Sequence, residues 1–216
     1  MVVNLSSNNS LLSQWICEIR DIEVQKDRSR FRKNMERIGE VAAYEISKEL
    51  PYREVTVQTQ MGEATGYVLE QEPVLATILR AGLPLQQGLL NYFDKSDCAF
   101  ITAYRKHNPD GSFEIKQEYI TSPDITGRPL IISDPMLATG ASMVLSLQAI
   151  LEENRPSQIH VVTAIACTVG IEYLMRKIPG VYLWAGAIDE ELTARGYIVP
   201  GLGDAGDLSY GDKTQA

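Results

Sequence analysis

The stretch "PLIISDPMLATGASM", residues 129–143, runs an apolar segment into an acid, then into a short loop of small and hydroxyl residues, then into a helical pattern. It reads as a strand that ends, turns and hands over to a helix. Four more short apolar segments have the same strand character: "PVLATIL" at 73–79, "DCAFITAY" at 97–104, "QIHVVTAIA" at 158–166 and "VYLWAGAI" at 181–188. Between most of them lie helical segments, "LPLQQGLLNYF", "ASMVLSLQAILEEN" and "VGIEYLMRKI". Strands alternating with helices specify an α/β fold with a central parallel sheet covered on both faces. Ligands of such folds bind beyond the carboxyl ends of the strands.

The loop after the 129–133 strand is the most informative of those ends. Thr139-Gly140-Ala141-Ser142 opens a helix, and a helix start presents unpaired N–H groups and a partial positive charge that can wrap a phosphate. The alternative is an ordinary strand-to-helix turn with Thr139 or Ser142 as cap. It is not a P-loop, because the G-x-x-x-x-G-K-[ST] spacing and its Lys are missing. Asp134, five residues before the cradle, adds a carboxylate suited to sugar hydroxyls, and the combination suggests a ribose 5-phosphate.

Outward from this stretch, "RFRKNMERIGEVAAYEISKEL" places Phe31, Met35, Ile38, Ala42, Ile46 and Leu50 at helical spacing, so 1–50 is read as N-terminal helices. Arg28, Arg30, Arg32 and Lys33 at its start are read as a solvated face. "EVTVQTQMGEATGYVLE" alternates and is expected to turn at Met61-Gly62-Glu63 as a hairpin arm. The late segment "YIVPGLGDAGDLSYG", 197–211, holds four glycines, one proline and two aspartates but no Lys or Arg, unlike a solvated tail.

Composition limits the function classes. The chain has 216 residues, 44% of them hydrophobic, enough for one large domain. Its net charge of -8 argues against a nucleic-acid or anionic-membrane partner. No apolar run approaches the roughly 18 residues of a membrane span, and no export signal is evident, which points to a cytoplasmic protein. Cys17, Cys98 and Cys167 are read as core or half-buried thiols, since their spacing suggests neither disulfides nor zinc. His107, in a turn-like "HNPDG", and His160, in a strand, are both read as structural, so catalysis centred on histidine is poorly supplied.

"ISDPMLATGAS" resembles the phosphoribosyl diphosphate (PRPP) binding loop of the type I phosphoribosyltransferases, in the form of their uracil phosphoribosyltransferase branch. "GYIVPGLGDAGD" resembles the uracil-recognition segment of that branch, and "ILRAGLPLQQGLL" its R-A-G-L element. The resemblance implies a type I phosphoribosyltransferase-like sheet with a hairpin arm and a C-terminal nucleobase-binding hood at 188–211. It implies that Asp134, Pro135, Met136, Leu137, Ala138, Thr139, Gly140, Ala141 and Ser142 bind PRPP. Arg80 and Arg105 would contact the diphosphate. Ile198, Gly203, Asp204 and Ala205 would surround uracil, with Asp204 also reaching Mg²⁺ through water; Asp204 and Arg105 are the catalytic candidates.

Uracil and PRPP are the implied partners, GTP an implied activator in some members, and a homodimer or higher homo-oligomer the implied assembly. An enzyme for another base and an RNA-binding sensor of PRPP or nucleotides are the alternatives. Several positions depart from the family. Ala141 stands where a second Gly is usual, and its methyl is expected to fit a helical backbone. Pro135 replaces a second acid, and Leu208 and Tyr210 replace an Arg and a Phe. The segment 106–118 differs in sequence and is expected to act as a lid of two extended arms around a turn. Asp207 is expected to be a turn or capping carboxylate.

Overall fold

The computed structural model describes residues 1–107 and 113–213, with side chains described outside 103–118. A short strand β1 (Val2–Asn4) precedes helix α1 (Leu11–Arg20), and after a 3-10 turn the long helix α2 (Arg28–Ser47) follows. Strands β2 (Tyr52–Thr59) and β3 (Gly62–Leu69) form a hairpin. Then come β4 (Val74–Leu79), α3 (Leu83–Leu90), β5 (Asp97–His107), β6 (Phe113–Thr121), β7 (Pro129–Ser133) and β8 (Met136–Leu137). Helix α4 (Ala141–Glu153), strand β9 (Gln158–Cys167), α5 (Thr168–Lys177) and β10 (Tyr182–Asp189) complete the alternation, followed by β11 (Glu191–Leu192), β12 (Ile198–Val199) and α6 (Ala205–Tyr210).

The main sheet has the order β1-β10-β9-β7-β4-β5-β6, with β8 continuing beside β9. Every pairing in it is parallel except β5 with β6. From β4 the chain moves outward to β5 and β6, then returns to the other side of β4 with β7 and continues to β9 and β10. The order therefore reverses between β4 and β7, and the crevice at their carboxyl ends is where ligands of open α/β sheets bind.

Period-2 alternation along the strands divides the core in two. Leu75, Ile131, Val162 and Trp184 pack with α1, α2 and α3 on one face. Ala76, Leu130, Ile132, Val161 and Leu183 pack with α4 on the other. Helix α2 forms where its apolar spacing demands: Asp27 caps it by accepting from Ser29 and Arg30 N–H. Phe31, Met35, Ile38, Ala42 and Ile46 are buried along one stripe, each of the larger ones stabilising by about 1.5–3 kcal/mol. Leu50 is buried too, beyond the helix end.

The basic start of α2 is a solvated face as expected, with Arg28, Arg30 and Lys33 exposed, and three of its four cations also make protein contacts. Glu18 on α1 accepts from both the Arg30 guanidinium and Asn34, and these bonds hold its carboxyl at a pKa of about 2. Lys33 pairs with Glu36, and Arg32 donates to the Ser209 carbonyl on α6. The hairpin turns at Gln60–Met61, a two-residue connection set one residue earlier than expected. Its sheet stands apart from the main one and exposes Tyr52, Val57, Met61, Tyr67 and Val68.

Three readings are corrected. Residues 1–50 also carry β1, which the helical pattern does not reveal. Cys17 is exposed, because it lies on the side of α1 opposite the buried Leu12, Ile16 and Ile19; Cys98 and Cys167 are half-buried and buried. His107 ends β5, paired with Phe113, rather than sitting in the turn. His160 is structural as expected: it is fully buried in the sheet, stacked on Tyr182. Trp184 donates its indole N–H to His160 Nδ1 at 3.2 Å, so the imidazole proton is on Nε2, facing Gln158 Oε1.

Burial lowers the His160 pKa from 6.5 to about 4. Between those values the unfolded chain binds a proton that the folded one refuses, so stability falls as pH falls. The loss should begin near pH 6.5, level off near pH 4 and total about 3 kcal/mol. Urea midpoints between pH 7 and pH 4 should show a steeper acid limb for the wild-type chain than for His160→Gln; equal slopes would contradict this assignment.

Candidate active site

Three segments far apart in sequence meet at the β4/β7 crevice. The first follows β7. Asp134 donates its N–H to the Val162 carbonyl, and together with residues 136–143 it lines a single cleft. Pro135 does not line it: the residue is buried, and its carbonyl accepts from both Ala164 and Ile165 N–H. Pro135 thus fixes the bend that separates Asp134 from the cradle. Leu137 offers the cleft its backbone, because its side chain lies in the core.

Gly140 caps α4 with φ 77° and ψ -7°, a left-handed conformation. A Cβ there would meet the Gly170 carbonyl oxygen at 2.7 Å, so only Gly serves. Ala141 is the first helical residue, the backbone condition on which its methyl is expected to fit; its N–H donates to Thr139 Oγ1. The first intrahelical bond runs from Val144 N–H to Gly140. The Ser142 and Met143 amides therefore belong to the unpaired first turn that favours an anion.

The second segment is the end of β4. Thr77 and Ser133 exchange side-chain contacts across the β4/β7 pair, which sets Arg80 and Gly82 beside the strand leading to the cradle. Arg80 Nη2 donates to Asp207 Oδ1 at 2.9 Å and to the Gly211 carbonyl at 2.7 Å. Its Nε and Nη1 have no hydrogen-bond partner among the described residues.

The third segment follows β10. β11 and β12 form a small antiparallel ribbon, with Leu192 opposite Ile198. Ile198, Leu202 and Ala205 bury their side chains in the core, so any ligand at this segment meets mainly the backbone of Ile198 and Ala205. Gly203 is exposed, with φ 98°. Asp204 caps α6: its Oδ1 accepts from Gly206 and Asp207 N–H at 2.8 and 3.0 Å. Its other oxygen lies 3.5 Å from Lys213 Nζ.

The capping carboxylate is thus Asp204 and not, as expected, Asp207, which instead reaches across to Arg80. The reason is local. The chain enters α6 with Asp204 still extended, at φ -91° and ψ 106°, which makes it the residue whose side chain faces the first amides. Sequence reasoning also missed the Arg20–Asp189 pair, in which Arg20 Nη1 and Nη2 grip both carboxylate oxygens of Asp189 at 2.8 and 2.7 Å. The signal was present: Asp189 ends an apolar strand just as Asp134 nearly does.

Arg105 lies on β5 opposite Ile115, and its side chain is outside the described residues. The expected lid is only partly described: its arms are β5 and β6, and its turn at 108–112 lies outside the described residues. No cluster of three or more His, Cys, Asp or Glu groups that could cage a metal occurs among the described residues. Among them, too, no helix is long and apolar enough to cross a membrane.

Comparison with known proteins shows the family. The family model described as "Uracil phosphoribosyltransferase" matches residues 6–212. The protein of that name from Porphyromonas gingivalis is 51% identical over 213 residues, 98% of this chain and 99% of the relative. The one from Pyrococcus furiosus is 35% identical, covering 93% of this chain and 86% of the relative. Among solved structures, the AQ2163 protein of Aquifex aeolicus superposes with a TM-score of 0.86 at 31% identity, over 99% of this chain and all of that one. By sequence over nearly its full length, the chain belongs to the uracil phosphoribosyltransferase family.

Proposed function

We propose that this chain transfers the phosphoribosyl group of PRPP to uracil, giving UMP and diphosphate in pyrimidine salvage. The observation that carries the reading is the Arg80–Asp207 contact, which fastens the Gly-rich segment 198–207 to the end of β4, beside the strand that leads to the phosphate cradle. The segment read as the base site is thereby tied to the strand that neighbours the one leading to the phosphate cradle.

In this reading residues 138–142 hold the 5-phosphate with backbone amides and hydroxyls, and Asp134 accepts from the ribose hydroxyls. Backbone at Ile198, Gly203 and Ala205 reads the edge of uracil, which offers two carbonyl acceptors around one N–H donor. A uracil ring nitrogen forms the new bond to the anomeric carbon as the bond to diphosphate breaks, and the proton on that nitrogen leaves to water. No protein nucleophile is required. Holding the two reactants in line can supply about 7–11 kcal/mol, and Arg80 and Arg105 stabilise the charge gathering on the leaving group.

Mg²⁺ fits this donor set as a substrate-borne ion. With one oxygen of Asp204 committed to the helix cap and the other 3.5 Å from Lys213 Nζ, Asp204 offers no cage and would reach the ion through water, which suits a cation that keeps its waters and binds phosphate oxygens. When bound, it neutralises diphosphate charge. The same reading treats 188–211 as the base-binding part of a single cytoplasmic domain and carries GTP as a candidate activator. It also takes the exposed apolar residues of the β2–β3 hairpin as the contact for a second copy.

Assays with each base, PRPP and Mg²⁺ test the proposal directly. Uracil and small 5-substituted analogues should react, whereas cytosine, which changes the donor pattern at the recognised edge, should be poor; comparable turnover of cytosine or orotate would overturn the assignment. Asp134→Asn should raise the KM for PRPP about 10- to 100-fold, the scale of losing a charged hydrogen-bond acceptor, roughly 1.5–3 kcal/mol. An unchanged KM would reduce Asp134 to a strand-end residue.

Asp204→Asn separates the two tasks of that side chain. An amide oxygen still caps α6, so the thermal midpoint should hold, while the lost charge should lower kcat by about 10² to 10³-fold. If instead the midpoint drops and kcat stays, Asp204 is a cap and nothing more.

A further inference from the structure

Hydrogen bonds among Arg20, Asp189 and Gly201 tie the end of α1 to the segment proposed to read the base. Arg20 Nη1 also donates to the Gly201 carbonyl at 3.0 Å, and the Gly201 N–H donates back to Asp189 Oδ2 at 2.9 Å. The four bonds close a ring in which both polar groups of the Gly201 peptide backbone are held by one ion pair. Asp189 is 7% exposed and Arg20 21%. Contacts so shielded from solvent are screened little by salt and fix geometry tightly.

Gly201 is where that geometry is most demanding. Its φ is 56°, and a Cβ there would meet the Ile198 carbonyl oxygen at 2.3 Å. The turn folds directly back on Ile198 and leads within two residues to Gly203. We propose that Arg20 and Asp189 are a positioning pair for the nucleobase, setting the spacing of the Ile198 and Gly203 backbone and hence the affinity for uracil without touching it. The proposal rests on the reading of 198–205 as the base site. Among the described residues neither Arg20 nor Asp189 bonds to the phosphate cradle, so the effect should fall on one substrate.

Burial alone would raise the Asp189 pKa, but the hydrogen bonds from Arg20 and from Gly201 N–H, with the Arg20 charge, hold it below the usual carboxylate value. The aspartate therefore stays ionised and the fork stays closed across neutral pH.

Two variants test the pair by steady-state kinetics at varied uracil and varied PRPP. Arg20→Lys keeps the charge but lacks the planar fork, so it cannot hold two Asp189 oxygens and the Gly201 carbonyl together. Asp189→Asn keeps an acceptor for Gly201 N–H but loses the charged grip. Each should raise the KM for uracil at least tenfold and leave the KM for PRPP within about twofold. If Asp189→Asn fails to fold because it leaves Arg20 unpaired, Arg20→Lys decides alone. Unchanged uracil KM, or parallel rises for both substrates, would overturn the positioning role. A wild-type chain that forms no UMP from uracil would instead overturn the functional reading beneath it.

Discussion

A parallel strand cannot be followed by its neighbour through a tight turn; the chain must cross back over a face of the sheet before the next strand begins. Everything functional in this molecule follows from that constraint. The crossovers supply α3, α4 and α5, they make both faces apolar, and they send the ends of β4, β7, β9 and β10 to one edge. Loops placed on that edge are neighbours even when their sequence positions differ by more than a hundred. Because the strand order reverses between β4 and β7, the crevice opens between the ends that carry Arg80 and Asp134.

Electrostatics sharpen the picture. A chain of net charge -8 repels polyanions over most of its surface, so a diphosphate site has to be made locally. In the proposed reaction Arg80 is the cation of that site, and Asp207 and the Gly211 carbonyl hold one of its nitrogens. The pair is about one-third exposed on each side, so it contributes little to global stability. Its value lies in fixing an otherwise flexible side chain, with the remaining guanidinium edge available for a ligand.

The parts legible in the sequence are those written in local periodicity. The five central strands, the three crossover helices and the long helix α2 each announce themselves within a dozen residues, and so does the small-residue loop at 138–142. β1, β8, β11 and β12 are two or three residues long, too short for any period to register. The pairs that shape the site join residues 127 and 169 apart, and no local pattern encodes them. The capping of α6 shows the same limit on a smaller scale: Asp204 and Asp207 sit in one heptapeptide, and only the backbone angle at the helix entry decides which of them caps.

The two tryptophans sit in different layers of this architecture. Trp184 lies in the sheet and donates to His160, while Trp15 is on α1 beneath the Arg37 guanidinium, 5.5 Å from its ring centre. An indole hydrogen-bonded to a buried imidazole and an indole covered by a cation differ in polarity and solvent access, so their emission should differ in wavelength and in quenching by added solutes. The molecule thus carries one optical probe in the sheet and another in the helical layer that holds Arg20. With either indole replaced by phenylalanine, fluorescence becomes a direct measure of whether those layers loosen together or in sequence.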